Sequence, residues 1–137
     1  MSTNKSFSIE TSERYSRALF EVGKDSGELE KIEMDIKNFL SLLNNSLELK
    51  NFIQNPTHNI ETQNTVLDLL SGKLNFSKNL KNFFFLLIEK RRIFFAKKIA
   101  DTFLRLCLKK RGEIEAFLIS SKELSKVELD NISAELS

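Results

Sequence analysis

The sequence predicts an all-α fold over most of its length. A six-helix bundle is expected at residues 12–111, after a flexible tail at 1–11. Residues 112–137 read as the β-α start of a second, incomplete α/β domain. Three observations carry this prediction. One Pro and four Gly in 137 residues are too few for the turns of an all-β fold. Apolar residues recur at helical spacing in six successive stretches. After Gly112 the pattern changes to a short apolar run followed by a new helix-start signal. With 41% apolar and 29% charged residues, the chain has enough apolar material to build a core. Twelve of its aromatics are Phe, which has no polar group, so most of these rings belong in a core or an apolar interface.

Met1–Ile9 is polar and reads as a tail. The first helix fits about Thr11 to Val22, with Ser12 as cap, Glu13 in the first turn and Gly23 as its end. Tyr15, Ala18, Leu19 and Val22 share one face, and Phe20 points elsewhere. The second helix is the clearest: Leu29, Ile32, Ile36, Phe39, Leu40 and Leu43 hold the 3.6 period after an Asp25/Glu28 capping box. Asn44-Asn45-Ser46 breaks it. A short third helix with Leu49, Phe52 and Ile53 stops at Asn55-Pro56, because proline disfavours the helical conformation in the residue before it. The fourth spans about Ile60–Leu70, with Ile60, Val66, Leu67 and Leu70 inward and Gly72 as its end.

The fifth helix, about Lys78–Lys90, is apolar almost all round, as a helix buried on several sides or used as an interface must be. Lys90-Arg91-Arg92 breaks it. The sixth runs from about Phe94 to Lys110, with Phe95, Ile99, Phe103, Leu106 and Cys107 inward and Gly112 as its stop. Glu113–Ser120 then reads as a strand, with Glu113 and Glu115 keeping its edge soluble. Ser125 and Glu128 form a capping box, stapled by Leu124 and Leu129. The helix it opens carries Leu129, Ile132 and Leu136, which need a surface to pack on.

Most catalytic classes are excluded by what the chain lacks. Its single His cannot form a metal cluster with others, and lone Cys107 cannot form an internal disulfide. Cys107 lies in an apolar stretch and reads as a buried structural thiol. The four glycines are scattered, so no phosphate-cradling loop exists. His58 follows Asn55-Pro56-Thr57 and reads as a surface loop residue. No enzyme activity and no cofactor are expected. The longest apolar run, Phe83–Ile88, is far short of the ~20 residues a membrane span needs. The N-terminus has neither a signal pattern nor the basic character of a transit peptide. A soluble or peripheral protein is expected.

The net charge is +2 but uneven. Nine basic residues lie between Lys90 and Arg111 against one acid, Asp101. Such a stripe can meet nucleic acid, anionic lipid or an acidic protein, or simply be a solvated helix face. A helical RNA- or DNA-binding module is therefore the runner-up reading. The near-neutral total and the lack of aromatic-basic interleaving count against it. A membrane-surface role through Phe94, Phe95 and nearby lysines ranks lower still.

Three stretches point elsewhere. Arg14-Tyr15-Ser16-Arg17-Ala18-Leu19-Phe20-Glu21 is similar to an Arg-Tyr-Ala-x-Ala-Leu-Phe opening. Leu49-Lys50-Asn51-Phe52-Ile53-Gln54-Asn55-Pro56 is similar to a short helix closing on Asn-Pro. Asn82-Phe83 through Leu86-Leu87, then Glu89-Lys90-Arg91-Arg92-Ile93, is similar to a helix ending in an Asn/Lys-Arg-Leu turn. Together, in this order and followed by Ser120-Ser121-Lys122-Glu123-Leu124-Ser125, they resemble the delta-subunit (oligomycin-sensitivity-conferring protein) family of the rotary ATP synthase. The resemblance covers roughly Ser12 to Ser137.

This resemblance implies a six-helix N-terminal bundle on top of the catalytic head. It implies a non-catalytic stator subunit that tethers the head to the peripheral stalk of the proton-translocating complex and binds no nucleotide. The bundle would hold the N-terminal helix of an alpha subunit between its first and fifth helices. The implied groove residues are Tyr15, Ala18 and Val22 on one side and Phe83, Leu86 and Lys90 on the other. The same residues could instead be plain core. The second implied partner is the stalk b subunit, engaged by a Gly- and Asp-containing strand segment of the family's C-terminal domain. No such segment precedes Ser137, so head binding is expected to survive and stalk binding is the function put in question. No nucleic acid is expected, and membrane contact only through the complex. The implied location is the cytoplasmic face of the bacterial inner membrane, as a peripheral component.

Overall fold

The computed structural model describes the backbone of residues 2–136 and the side chains of residues 8–123. It contains α1 (Ser2–Ser26), α2 (Leu29–Asn45), α3 (Leu47–Gln54), α4 (Ile60–Leu74), α5 (Lys78–Glu89), a 3-10 turn (Ile93–Phe95) and α6 (Ala96–Leu136). No strand occurs among the described residues. The chain divides into two compact units, Met1–Leu106 and Cys107–Ser137.

The first unit is built around α2, which touches α1, α3, α4 and α5. Its inward side chains Ile32, Ile36, Phe39 and Leu43 are essentially inaccessible, as the period predicts. Phe39 meets Phe84 of α5 at 4.9 Å between ring centroids. Phe76, in the turn before α5, completes a cluster at 6.5 Å from Phe39 and 5.8 Å from Phe84. Tilted and edge-on pairs of this kind add to the stabilisation from burial alone. Phe20, Phe83 and Phe103 are buried as well, and so is Cys107.

Several termini form where the sequence places them. Ser46 and Ser77 cap α3 and α5 through bonds from Leu49 N and Leu80 N, and Asn59 caps α4 through a 2.7 Å bond from Thr62 N. Asn55 is extended (ψ 111°), as the following proline requires.

Other expected boundaries are corrected. α1 begins at Ser2 rather than near Thr11 and runs past Gly23 to Ser26, so residues 2–11 of the expected tail are helical. Asp25 therefore lies in the last turn of α1 and forms no capping box. Glu28 precedes α2 without a side-chain cap bond. The chain turns instead at Gly27, whose φ of +72° an L side chain rarely adopts. Gly23 serves close packing: a Cβ there would lie 3.2 Å from the Leu29 Cα.

Gly72 does not end α4. The helix continues to Leu74 and stops at left-handed Asn75 (φ 54°). Gly72 is exposed, and a Cβ there would meet nothing within 4 Å. Gly72→Ala should therefore raise the unfolding free energy by about 0.5–1 kcal/mol in urea denaturation, through helix propensity and a less free unfolded chain.

The largest correction concerns the second unit. Residues 113–120 are helical, and α6 passes through Gly112 without a break. One exposed glycine costs a helix only about 1 kcal/mol. Ile114, Phe117 and Leu118 also follow a 3-and-4 spacing, which is the helical one. The β-α start of an α/β domain is thus not formed. Glu113 lies on a helix, 3.6 Å from Lys110, not on a strand edge. The backbone is already helical before Ser125, so no helix starts there. The side chains of the expected box and staple, and of Ile132 and Leu136, lie outside the described residues.

Candidate partner-binding cleft

The buried stripe of α1 is Thr11, Ser12, Ser16, Leu19, Phe20 and Gly23, spaced i, i+1, i+5, i+8, i+9 and i+12. Small and hydroxylated residues are four of the six. Ser16 Oγ donates to the Ile99 carbonyl of α6 at 2.9 Å, and Ser12 is 1% exposed. This stripe turns the face holding Tyr15, Ala18 and Val22 away from the core. Ala18 and Val22 are exposed, and Tyr15 is half-buried.

The two helices run antiparallel, since the Tyr15 ring meets Phe83 edge-on at 6.4 Å while Glu28, just past the end of α1, accepts from Asn79 Nδ2 at 2.9 Å. Between them lies a cleft of about 270 Å³ lined by Ala18, Leu19, Val22, Asn79, Asn82, Phe83 and Leu86. Val22 and Leu86 remain 43% and 42% exposed there. Leaving such side chains in water forgoes the stabilisation of burying them, so these two anchors mark a surface open to cover.

Of the six residues singled out from the sequence, the structure brings Ala18, Val22, Phe83 and Leu86 into this cleft. Tyr15 adjoins it through its ring contact with Phe83. Lys90 does not line it; it caps α5, one turn beyond Leu86. Asn79 and Asn82, missed as cleft residues in the sequence reading, supply its polar lining among the described residues. Their place four and one residues before Phe83 on α5 was a usable signal.

A wider depression of about 490 Å³ lies between α4 and α5, lined by Ile60, Asn64, Thr65, Asp68, Phe85 and Glu89. It carries two carboxylates. Its Ile60, expected inward, is 40% exposed. It is larger than the α1–α5 cleft but more open and more polar, so the smaller cleft is the better seat for an apolar partner.

The basic stripe is partly engaged within the molecule. The Arg91 guanidinium donates to the Pro56 and His58 carbonyls at 3.1 and 3.2 Å, and Lys98 donates to Ser8. His58 itself stacks on Phe52 at 4.2 Å. Among the described residues no group of three His, Cys, Asp or Glu could hold a metal. No described helix is long and apolar enough to cross a membrane.

Comparison with known proteins bears on this geometry. A family model described as "ATP synthase delta (OSCP) subunit" matches residues 11–137. The ATP synthase subunit delta of Pelagibacter ubique is 38% identical over 136 residues, covering 99% of this chain and 74% of that protein. That of Gloeothece citriformis is 34% identical over 120 residues, covering 88% and 65%. Among solved structures, a chain in the cryo-EM structure of the Toxoplasma gondii mitochondrial ATP synthase hexamer aligns with a TM-score of 0.64 at 29% identity. That match covers 67% of this chain and 51% of the other. The chain thus spans between half and three quarters of the length of these three proteins.

Proposed function

The chain belongs to the ATP synthase delta (OSCP) subunit family, and on that premise we propose that it is a non-catalytic stator subunit of the proton-translocating rotary ATP synthase. It holds the N-terminal amphipathic helix of an alpha subunit in the α1–α5 cleft and so fixes the catalytic head against the torque of the rotor. The observation that carries this reading is the exposure of Ala18, Val22 and Leu86 around one cleft between α1 and α5. Ala18 lets a guest backbone approach. Leu86, Val22 and the Tyr15–Phe83 pair give an apolar floor for residues spaced i, i+3, i+4 and i+7 on the guest, the helix-in-groove mode. A tether works only when held at both ends, so the peripheral-stalk b subunit is the second partner on this reading. The subunit acts at the cytoplasmic face of the bacterial inner membrane, held there through the complex.

Calorimetric titration of the chain with a synthetic alpha-subunit N-terminal helix tests the proposal. Binding is expected, and Leu86→Ala and Tyr15→Ala should each weaken it by about 10- to 30-fold, roughly 1.4–2 kcal/mol. A folded chain that gives no heat with the peptide would overturn it. Salt-dependent RNA binding by that chain would then move the assignment to the basic stripe.

A further inference from the structure

The turn after α5 is built on a residue whose backbone conformation its own type does not favour. Arg91 has φ +59°, the left-handed region where a Cβ is costly and glycine or asparagine is the usual occupant. The other two left-handed positions among the described residues, Gly27 and Asn75, are of those types. The turn itself demands the conformation. Arg91 N donates to the Ile88 carbonyl at 3.0 Å and Arg92 N to the Leu87 carbonyl at 2.7 Å, the paired bonds that close a helix through a left-handed residue. Ile88 and Ile93 are both buried, so the chain has only residues 89–92 in which to leave α5 and return to the core.

The compensation comes from the α3–α4 loop. The Arg91 guanidinium donates through Nη1 to the His58 carbonyl at 3.2 Å and through Nη2 to the Pro56 carbonyl at 3.1 Å. A charged donor makes the stronger kind of hydrogen bond, and a planar fork fixes both carbonyls at once. The loop presents them as a pair because asparagines shape its two ends. Asn55 Oδ1 accepts from Thr57 N at 3.0 Å and from Thr57 Oγ1 at 2.6 Å, and Asn59 Oδ1 accepts from Thr62 N. The His58 ring rests on Phe52. The carbonyls between the two asparagines are left for a donor from outside the loop.

We infer that Arg91 is a latch. Its side chain holds the α3–α4 loop, and the same two bonds hold its own backbone left-handed, so loop and turn are released together. The latch straps one end of the α4–α5 depression. Ile60, two residues after His58, and Glu89, two before Arg91, both line that depression. Opening the latch therefore frees its walls at that end, whatever partner the α1–α5 cleft takes.

Amide hydrogen exchange of the whole isotope-labelled chain, read by NMR for the parent, Arg91→Gly and Arg91→Ala, tests this coupling. Glycine removes the two bonds but adopts a left-handed backbone freely. In Arg91→Gly the Thr57 and Thr62 amides should exchange about tenfold faster, while the Arg92 amide stays within about threefold of the parent. Alanine removes the same bonds and still carries the backbone cost. In Arg91→Ala the Thr57, Thr62 and Arg92 amides should therefore all exchange about tenfold faster. Unchanged Thr57 and Thr62 amides in Arg91→Gly would mean that the guanidinium does not hold the loop. Equal protection of the Arg92 amide in the two variants would mean that the turn does not depend on the side chain. Either result overturns the latch.

Discussion

Asp35→Ala should lower the unfolding free energy by about 2–4 kcal/mol, more than any other single polar truncation in the first unit. The Asp35 side chain is 1% exposed, at 2.8 Å from Lys31 Nζ. Its second oxygen accepts the backbone N–H of Ser77 at 2.8 Å. Lys31 also donates to the Asn75 carbonyl at 3.0 Å. One carboxylate on α2 thus holds both sides of the turn joining α4 to α5. That turn contains left-handed Asn75 and buried Phe76. Removing the carboxylate leaves the Ser77 N–H without its partner and frees the turn that sets the start of α5. Asp35→Asn keeps the shape and one acceptor, so it should lose less, about 1–2 kcal/mol. Urea denaturation followed by circular dichroism measures both. A loss below about 1 kcal/mol for the alanine variant would mean that the aromatic cluster alone fixes the turn.

What was legible in the sequence follows from which physics repeats along it. α2 and α3 could be placed because apolar side chains recur at helical spacing and because Ser46 and Pro56 mark their ends, and α5 because it is an almost wholly apolar stretch closed by Lys90-Arg91-Arg92. The interior of α1 could not. Its buried stripe is half serine and glycine, so a hydrophobic period selected the neighbouring face, with Tyr15, Ala18 and Val22. Those residues were read as one helix face and, from the family resemblance, as groove lining with plain core as the alternative; in the structure Ala18 and Val22 line the cleft and Tyr15 adjoins it. Asp35 lies three residues after Ile32 and one before Ile36, within the apolar face. Its partner Ser77 is 42 residues away, and Asn75, which accepts from Lys31, is 44 residues from that lysine, so no local rule connects them. The glycines misled in the same way three times. Gly23, Gly72 and Gly112 were read as stops, but α1 and α4 end where the backbone turns left-handed, and that happens at Gly27 and Asn75. The expected strand after Gly112 failed for a related reason: its apolar residues were counted, but their 3-and-4 spacing was not.

Because Ala18 is exposed yet lines the cleft, it separates binding from folding more cleanly than any buried neighbour. Ala18→Trp should weaken binding of the alpha-subunit helix by about 100-fold or more, roughly 2.7 kcal/mol, with the melting temperature unchanged. An indole occupies most of a cleft of about 270 Å³, covers Val22 and Leu86 from within the chain, and removes the apolar floor a guest would bury. The backbone accepts the change, since residue 18 faces solvent on an intact helical turn and Trp pays only a small propensity penalty there. Met34→Trp is the control. Met34 is 61% exposed on α2 and outside the cleft, so the same side chain there should leave binding as it was. Calorimetry with the alpha-subunit peptide reads the affinity, and circular dichroism reads the fold. If Ala18→Trp binds as tightly as the parent chain, the guest lies elsewhere. The α4–α5 depression, with its carboxylates at Asp68 and Glu89, would then be the next surface to block.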